Sequence, residues 1–292
     1  CMIEQSGLVA EAGAGFSIYD IDAPEEEPED FDEFWDALKA KLDAIPMDAN
    51  VQLHTRSAQS TTYRVDLANI DDRRVYGYVT IPAGAGPFPA ILTLPSAGNI
   101  PNISVPEVFM AELANVIAMS ISIHNAAPDQ ADPNGYLPDD ITDREGNYYN
   151  QAILGAIRSI DYLFSMPQFD GENLGVVGVS QGGGLSLMVS GIDQRVKLMV
   201  QSNAAMCNHA GLKYDEASAY PFYLFRNRLF DGSIQNLDKI VEASKYYDAT
   251  YFARRYKGPS FHTIGYRDNV CPPATTLAAY NQMLGSKVLL HA

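Results

Sequence analysis

Cysteine is scarce in this 292-residue chain: Cys1, Cys207 and Cys271 are its three thiols. An odd number at such wide spacing is neither a disulfide framework nor a zinc-ligand pattern. Basic residues are also few, 20 Lys and Arg against 36 Asp and Glu, for a formal net charge of −16. That balance argues against nucleic acid and anionic membrane as partners and is compatible with a neutral, sugar-like substrate. No stretch reaches the roughly 18 uninterrupted apolar residues of a membrane-spanning helix. The chain opens directly on Cys1. Two readings fit that residue, a mature lipoprotein N-terminus or a chain that begins partway through a longer protein, and the second is the expectation.

What is present is ample apolar material, 47% of the residues, enough for a substantial core. The acidic run Glu25-Glu26-Glu27-Pro28-Glu29-Asp30 reads as a solvated linker. Behind it, Phe31, Phe34, Trp35, Leu38 and Leu42 fall at i, i+3, i+4, i+7 and i+11, one face of a helix. Asp30 is the expected N-cap, and the aromatic stripe is read as core cladding. Residues 61–69 and 75–81 form an expected hairpin around Asp71-Asp72. Short, nearly continuous apolar runs follow at 90–94, 116–123, 174–179, 196–201, 260–265 and 287–290. Helical stretches are expected at 106–115, 150–165, 181–191 and 274–284. Alternation of this kind predicts an α/β fold with a mostly parallel, doubly wound sheet and flanking helices. The polar segments 124–149 and 207–238 read as long loops or a lid.

The strongest local signal is Gly178-Val179-Ser180-Gln181-Gly182, directly after an apolar strand and before a helix. That context makes it a nucleophile elbow, with Ser180 as the nucleophile at a tight strand-to-helix turn. The backbone N–H of Gln181 then sits at a helix N-terminus, aimed at a developing oxyanion. A second donor is expected from Leu94-Pro95-Ser96-Ala97-Gly98, where the Ala97 amide is the choice and an ordinary βα turn the competing reading. In hydrolases of this kind the acid and the histidine come after the serine, from loops following later strands. Asp268, just past the 260–265 strand, is the expected acid; Asp231 and Asp248 are rivals that follow no apolar strand. Among the five histidines, His54 precedes the sheet and His209 sits in a lid-like loop. His124, on the oxyanion side, and His262, inside a strand, read as packed, hydrogen-bonded residues. Only His291 follows Asp268, and it continues the final strand, so the general base is expected beyond Ala292, with His291 the alternative.

These residues resemble the acetyl xylan esterase and cephalosporin C deacetylase family of α/β-hydrolases. The resemblance runs from Asp30-Phe31-Asp32-Glu33-Phe34-Trp35 through Val75-Tyr76-Gly77-Tyr78, Tyr148-Tyr149 and the Ser180 motif to Asp268-Asn269-Val270-Cys271-Pro272-Pro273. It implies Ser180 as nucleophile, Asp268 as triad acid and the Gln181 and Ala97 amides as oxyanion hole, with no cofactor or metal. Its implied substrate is a small acetylated saccharide, and its implied assembly a homo-oligomer; a bacterial extracytoplasmic or secreted setting is the expectation. Two departures stand out. Where many members carry Arg-Gly-Gln, this chain has Ile123-His124-Asn125, and the family's Gly-His pair would fall past Ala292. Residues 1–24 are accordingly read as an extension, its first part like the last strand of a β-sandwich domain, and 25–292 as the hydrolase domain, truncated at its C-terminus. Competing functions are an esterase of other acyl specificity and an inactive carbohydrate-binding relative.

Overall fold

The computed structural model describes residues 2–5, 8–98, 104–131, 142–214, 216–222 and 236–291. Its centre is a nine-stranded sheet built from β3 (Asn50–Arg56), β4 (Ser60–Ala68), β5 (Arg74–Pro82), β6 (Phe88–Leu94), β7 (Ile117–Ser122), β8 (Phe169–Val179), β9 (Val196–Ser202), β10 (Ser260–Ile264) and β11 (Lys287–His291). The spatial order is β11-β10-β9-β8-β6-β7-β5-β4-β3. From β7 to β11 the neighbours are parallel, while β3, β4 and β5 join through antiparallel pairs. The expected mostly parallel sheet is therefore present, with an antiparallel flank. Among the described residues, the first two strands, β1 (Met2–Gln5) and β2 (Leu8–Glu11), pair only with each other.

The expected hairpin is β4–β5, in register Leu67↔Val75, and it closes through the Asn69 amide donating to the Arg73 carbonyl at 2.8 Å. Asp71 and Asp72 both have φ near +56°, the left-handed pair that matches the twist of a hairpin. Strand β3 went unread in the sequence because all seven of its residues are exposed and impose no apolar alternation.

Helices cover both faces of the sheet. Ala90, Leu92, Ile117 and Met119 turn into the main core with α3 (Tyr148–Ser165) and α4 (Gln181–Ile192). The alternate residues Ile91 and Ala118 pack instead with Ala111 of α2 (Val108–Ala114). On β9–β11 the alternation leaves Leu198, Phe261, Val288 and Leu290 exposed.

The stripe of α1 (Phe31–Asp43) is buried as expected. It packs on aromatic residues around the short helix α6 (Ala249–Ala253), which follows α5 (Leu237–Ser244). Phe31 meets Phe252 edge-on at 4.9 Å, Trp35 meets Phe252 at 5.3 Å, and the Trp35 indole N–H donates to the Tyr246 carbonyl at 3.0 Å. Asp30 departs from its expected role. Its side chain makes no cap bond and instead accepts from Arg144 at 2.8 Å and from the Tyr246 hydroxyl. A guanidinium and a phenol outcompete the helix amides for that carboxylate.

Trp35 is 1% exposed and fills the middle of this aromatic cluster. Trp35→Ala leaves a cavity and an unpaired Tyr246 carbonyl, so a loss of about 3–5 kcal/mol is expected in urea unfolding.

Candidate active site

At the end of β8 the chain reverses within one residue. Ser180 has φ 57° and ψ −119°, a conformation that L-residues rarely adopt. Three backbone bonds hold it there: its N–H donates to the Ser202 carbonyl at 2.9 Å, and its carbonyl accepts from Gly184 at 3.1 Å and Ala205 at 2.9 Å. The turn closes only because side chains are absent on either side. A Cβ on Gly178 would lie 2.2 Å from the Gly182 carbonyl, and one on Gly182 would lie 2.3 Å from the Leu94 carbonyl oxygen. Ser180 thereby stands partly exposed at the N-terminus of α4, where the first-turn amides have no intrahelical partners.

The Gln181 side chain is fully buried and bridges outward from the elbow. Its Oε1 accepts from the Tyr149 hydroxyl at 3.2 Å, and its Nε2 approaches the Ser96 carbonyl at 3.5 Å. The Ser96 hydroxyl donates to the Val179 carbonyl at 3.1 Å. The 95–98 loop, which carries Ala97, is thus fastened directly to the elbow that carries Gln181. The structure brings the two expected oxyanion residues to one place.

Asp268 lies in the turn after β10, at the same carboxyl-terminal edge of the sheet. Its Oδ1 accepts from the amides of Val270 and Cys271, both at 2.8 Å. Oδ2 receives no protein donor among the described residues. The turn borders a cavity of about 700 Å³ between Asn203, Gly265–Asp268, His291 and the Ala12–Gly13 segment. Asp248, one rival, spends its carboxylate on the amides of Asn208, His209 and Thr250 inside the fold. Asp231 lies outside the described residues, as does part of each expected lid segment.

No histidine ring is hydrogen-bonded to Asp268 or Ser180 among the described residues. His291 lines the cavity with Asp268, but its ring stacks on Tyr266, and its Nδ1 lies 2.9 Å from the Tyr266 hydroxyl. His262 sits within the sheet between Gln201 Nε2 at 3.0 Å and Ser260 Oγ at 2.8 Å. His209 is buried, with Nδ1 3.2 Å from the Ser244 carbonyl. His54 is on the exposed edge strand against Tyr78. His124 bridges Gly98 and Tyr148.

One neighbour of the nucleophile was given no role in the sequence reading: Cys271 Sγ is 3.8 Å from Ser180 Oγ. Burial pushes this thiol up to about 11, so it stays protonated at neutral pH and does not compete as a thiolate. Its place in the Asp268 turn was the available signal. Among the described residues, no three His, Cys, Asp or Glu side chains gather as a metal site.

A strained serine between a parallel strand and a helix, with an aspartate after a later strand, defines the chain as an α/β-hydrolase. Within that class it belongs to the acetyl xylan esterase (AXE1) family, whose match spans residues 17–290. The acetyl esterase Axe7A of Xylanibacter ruminicola is 34% identical over 277 residues, 89% of this chain and 61% of that protein. The chain therefore spans less than two thirds of that curated relative. Among solved structures, the acetyl xylan esterase from Paenibacillus sp. R4 superposes with a TM-score of 0.83 at 26% identity, covering 94% of this chain and 91% of its own. Acetyl xylan esterase 1 from Thermoanaerobacterium sp. JW/SL YS485 shares the fold at 21% identity and a TM-score of 0.82, with 94% and 90% covered.

His262 supplies a pH test of the site's scaffold. Burial holds its pKa at about 4, below the 6.5 of an unfolded histidine. Between those values the unfolded chain takes up a proton that the folded chain refuses, so stability falls as pH drops from 6.5 to 4. The expected contribution is on the order of 3 kcal/mol, and His262→Gln flattens that part of the stability–pH curve.

Proposed function

We propose that the protein is a serine esterase that removes acetyl groups from xylo-oligosaccharides or similar small acetylated alcohols. The observation that carries this reading is Ser180 itself, strained at φ 57° on the N-terminus of α4 and tied to the loop of Ala97 through Gln181 and Ser96. Ser180 Oγ attacks the ester carbonyl carbon while a base takes the hydroxyl proton. The Gln181 and Ala97 amides receive the charge that develops on the carbonyl oxygen. The tetrahedral intermediate collapses, and the alcohol leaves with the proton. Water then attacks the acetyl-serine, acetate departs, and Ser180 regains its proton.

Asp268 orients the imidazole that carries those protons. With Oδ1 held by two amides, Oδ2 is the oxygen left to accept a ring N–H. His291 shares the cavity but must leave its stack on Tyr266 to reach that position.

Hydrolysis of 4-nitrophenyl acetate, butyrate and octanoate tests this reading. Acetate is expected to be preferred, with Ser180→Ala reducing turnover by at least about 10⁴-fold and Asp268→Asn by about 10²–10⁴-fold. Octanoate preference would point to a different acyl specificity, and a rate unmoved by Ser180→Ala would remove the serine mechanism. If His291 is the base, His291→Ala costs as much as Asp268→Asn; unchanged turnover assigns the base to another group.

A further inference from the structure

The residue between Ser96 and Gly98 is the proposed donor Ala97, and the loop is fixed on both sides of it. On the Ser96 side the anchors are the elbow contacts described above. On the Gly98 side the anchor is His124, which follows β7 and is 2% exposed. Its Nε2 lies 2.5 Å from the Gly98 carbonyl oxygen, and its Nδ1 lies 2.8 Å from the Tyr148 hydroxyl. A carbonyl oxygen only accepts, so Nε2 carries the ring proton. On the other side of the ring Nδ1 meets the hydroxyl of Tyr148, at the start of α3, which also donates to the Ile123 carbonyl at 3.1 Å. Gly98 has φ 145°, a conformation open to glycine and strained for other residues.

We infer that His124 is a positioning residue for the oxyanion hole: it ties the Gly98 carbonyl to Tyr148 and so fastens the loop one residue past the Ala97 amide. This rests on the reading of Ala97 and Gln181 as the oxyanion donors. The ring does not touch the reacting atoms. It acts by holding a donor in place before charge develops, which lowers the barrier without changing how tightly the ground-state ester binds. The position is the one where the resemblance expects an arginine-containing motif, and here a histidine bridges the same strand end to the loop.

Glutamine and asparagine separate the two halves of the clamp. The amide nitrogen of His124→Gln reaches the place of Nε2 and keeps the bond to Gly98. His124→Asn reaches only the place of Nδ1, near Tyr148, and loses Gly98. Both are polar and fit a buried site; His124→Asn leaves the Gly98 carbonyl unpaired, so a purely structural role would lower activity only in step with melting temperature. The readouts are kcat and KM on 4-nitrophenyl acetate and the rate at which a fluorophosphonate labels Ser180. That adduct is tetrahedral and places an oxygen in the same hole.

The expected result is a kcat and a labelling rate lowered by about 10–100-fold in His124→Asn, with KM little changed and most of the loss recovered in His124→Gln. Equal labelling of wild type and His124→Asn overturns the clamp while leaving Ser180 as nucleophile. Equal losses in both variants, tracking their melting temperatures, overturn it in favour of a structural role. Absence of labelling in the wild-type protein overturns the esterase reading and the clamp together.

Discussion

Where β8 becomes α4, two stretches of backbone approach more closely than a side chain permits. Gly178 lies on Gly182, and Gly182 lies on the Leu94 carbonyl. That approach forces Ser180 into its strained conformation and stacks the end of β6 against the first turn of the helix. The strain is sustained by the surroundings: Ser202 of β9 and Ala205 beyond it hold the Ser180 peptide groups from the neighbouring strand. The position of the nucleophile is thus a property of three adjacent strands rather than of the five-residue motif alone.

The other groups of the site depend on the same edge. Parallel strands present their carboxyl ends together, so the loop after β6, the elbow after β8 and the acid turn after β10 emerge side by side although far apart in sequence. Each is fixed by local bonds before any substrate arrives. Ser96 and Gln181 join the first loop to the elbow, and Asp268 Oδ1 folds its own turn by accepting two amides. The Cys271 thiol comes to the nucleophile through that acid turn, held on one side by Asp268 and on the other by Pro272-Pro273 at the start of α7 (Pro273–Gln282).

Much of this was legible in the sequence because its signals are local. The stripe of Phe31, Phe34, Trp35, Leu38 and Leu42 repeats at helical spacing; the apolar run around Met119 matches a strand buried on both faces, and the run around Val176 one fully buried on alternate residues. The elbow could be read because its glycines, serine and flanking strand are contiguous. What escaped reading depends on partners distant in sequence. Strand β3 has no buried face, and the helices at Leu237–Ser244 and Ala249–Ala253 are too short to show a period. Asp30 looked like a helix cap because its competing partners, Arg144 and Tyr246, lie more than a hundred residues away. The bridge from His124 to Gly98 left no spacing to recognise, although its burial was foreseen. The proton carrier is the part of the site that neither spacing nor the five histidines' positions define.

The proposed mechanism stands or falls on Ser180 carrying the acyl group. Rapid mixing with 4-nitrophenyl acetate, quenching in acid and mapping the modified peptide by mass spectrometry test it most directly. A single acetyl group is expected on the peptide containing Ser180, absent from Ser180→Ala. An acetyl group on Cys271 instead, or ester turnover without any acetylated Ser180, would contradict it.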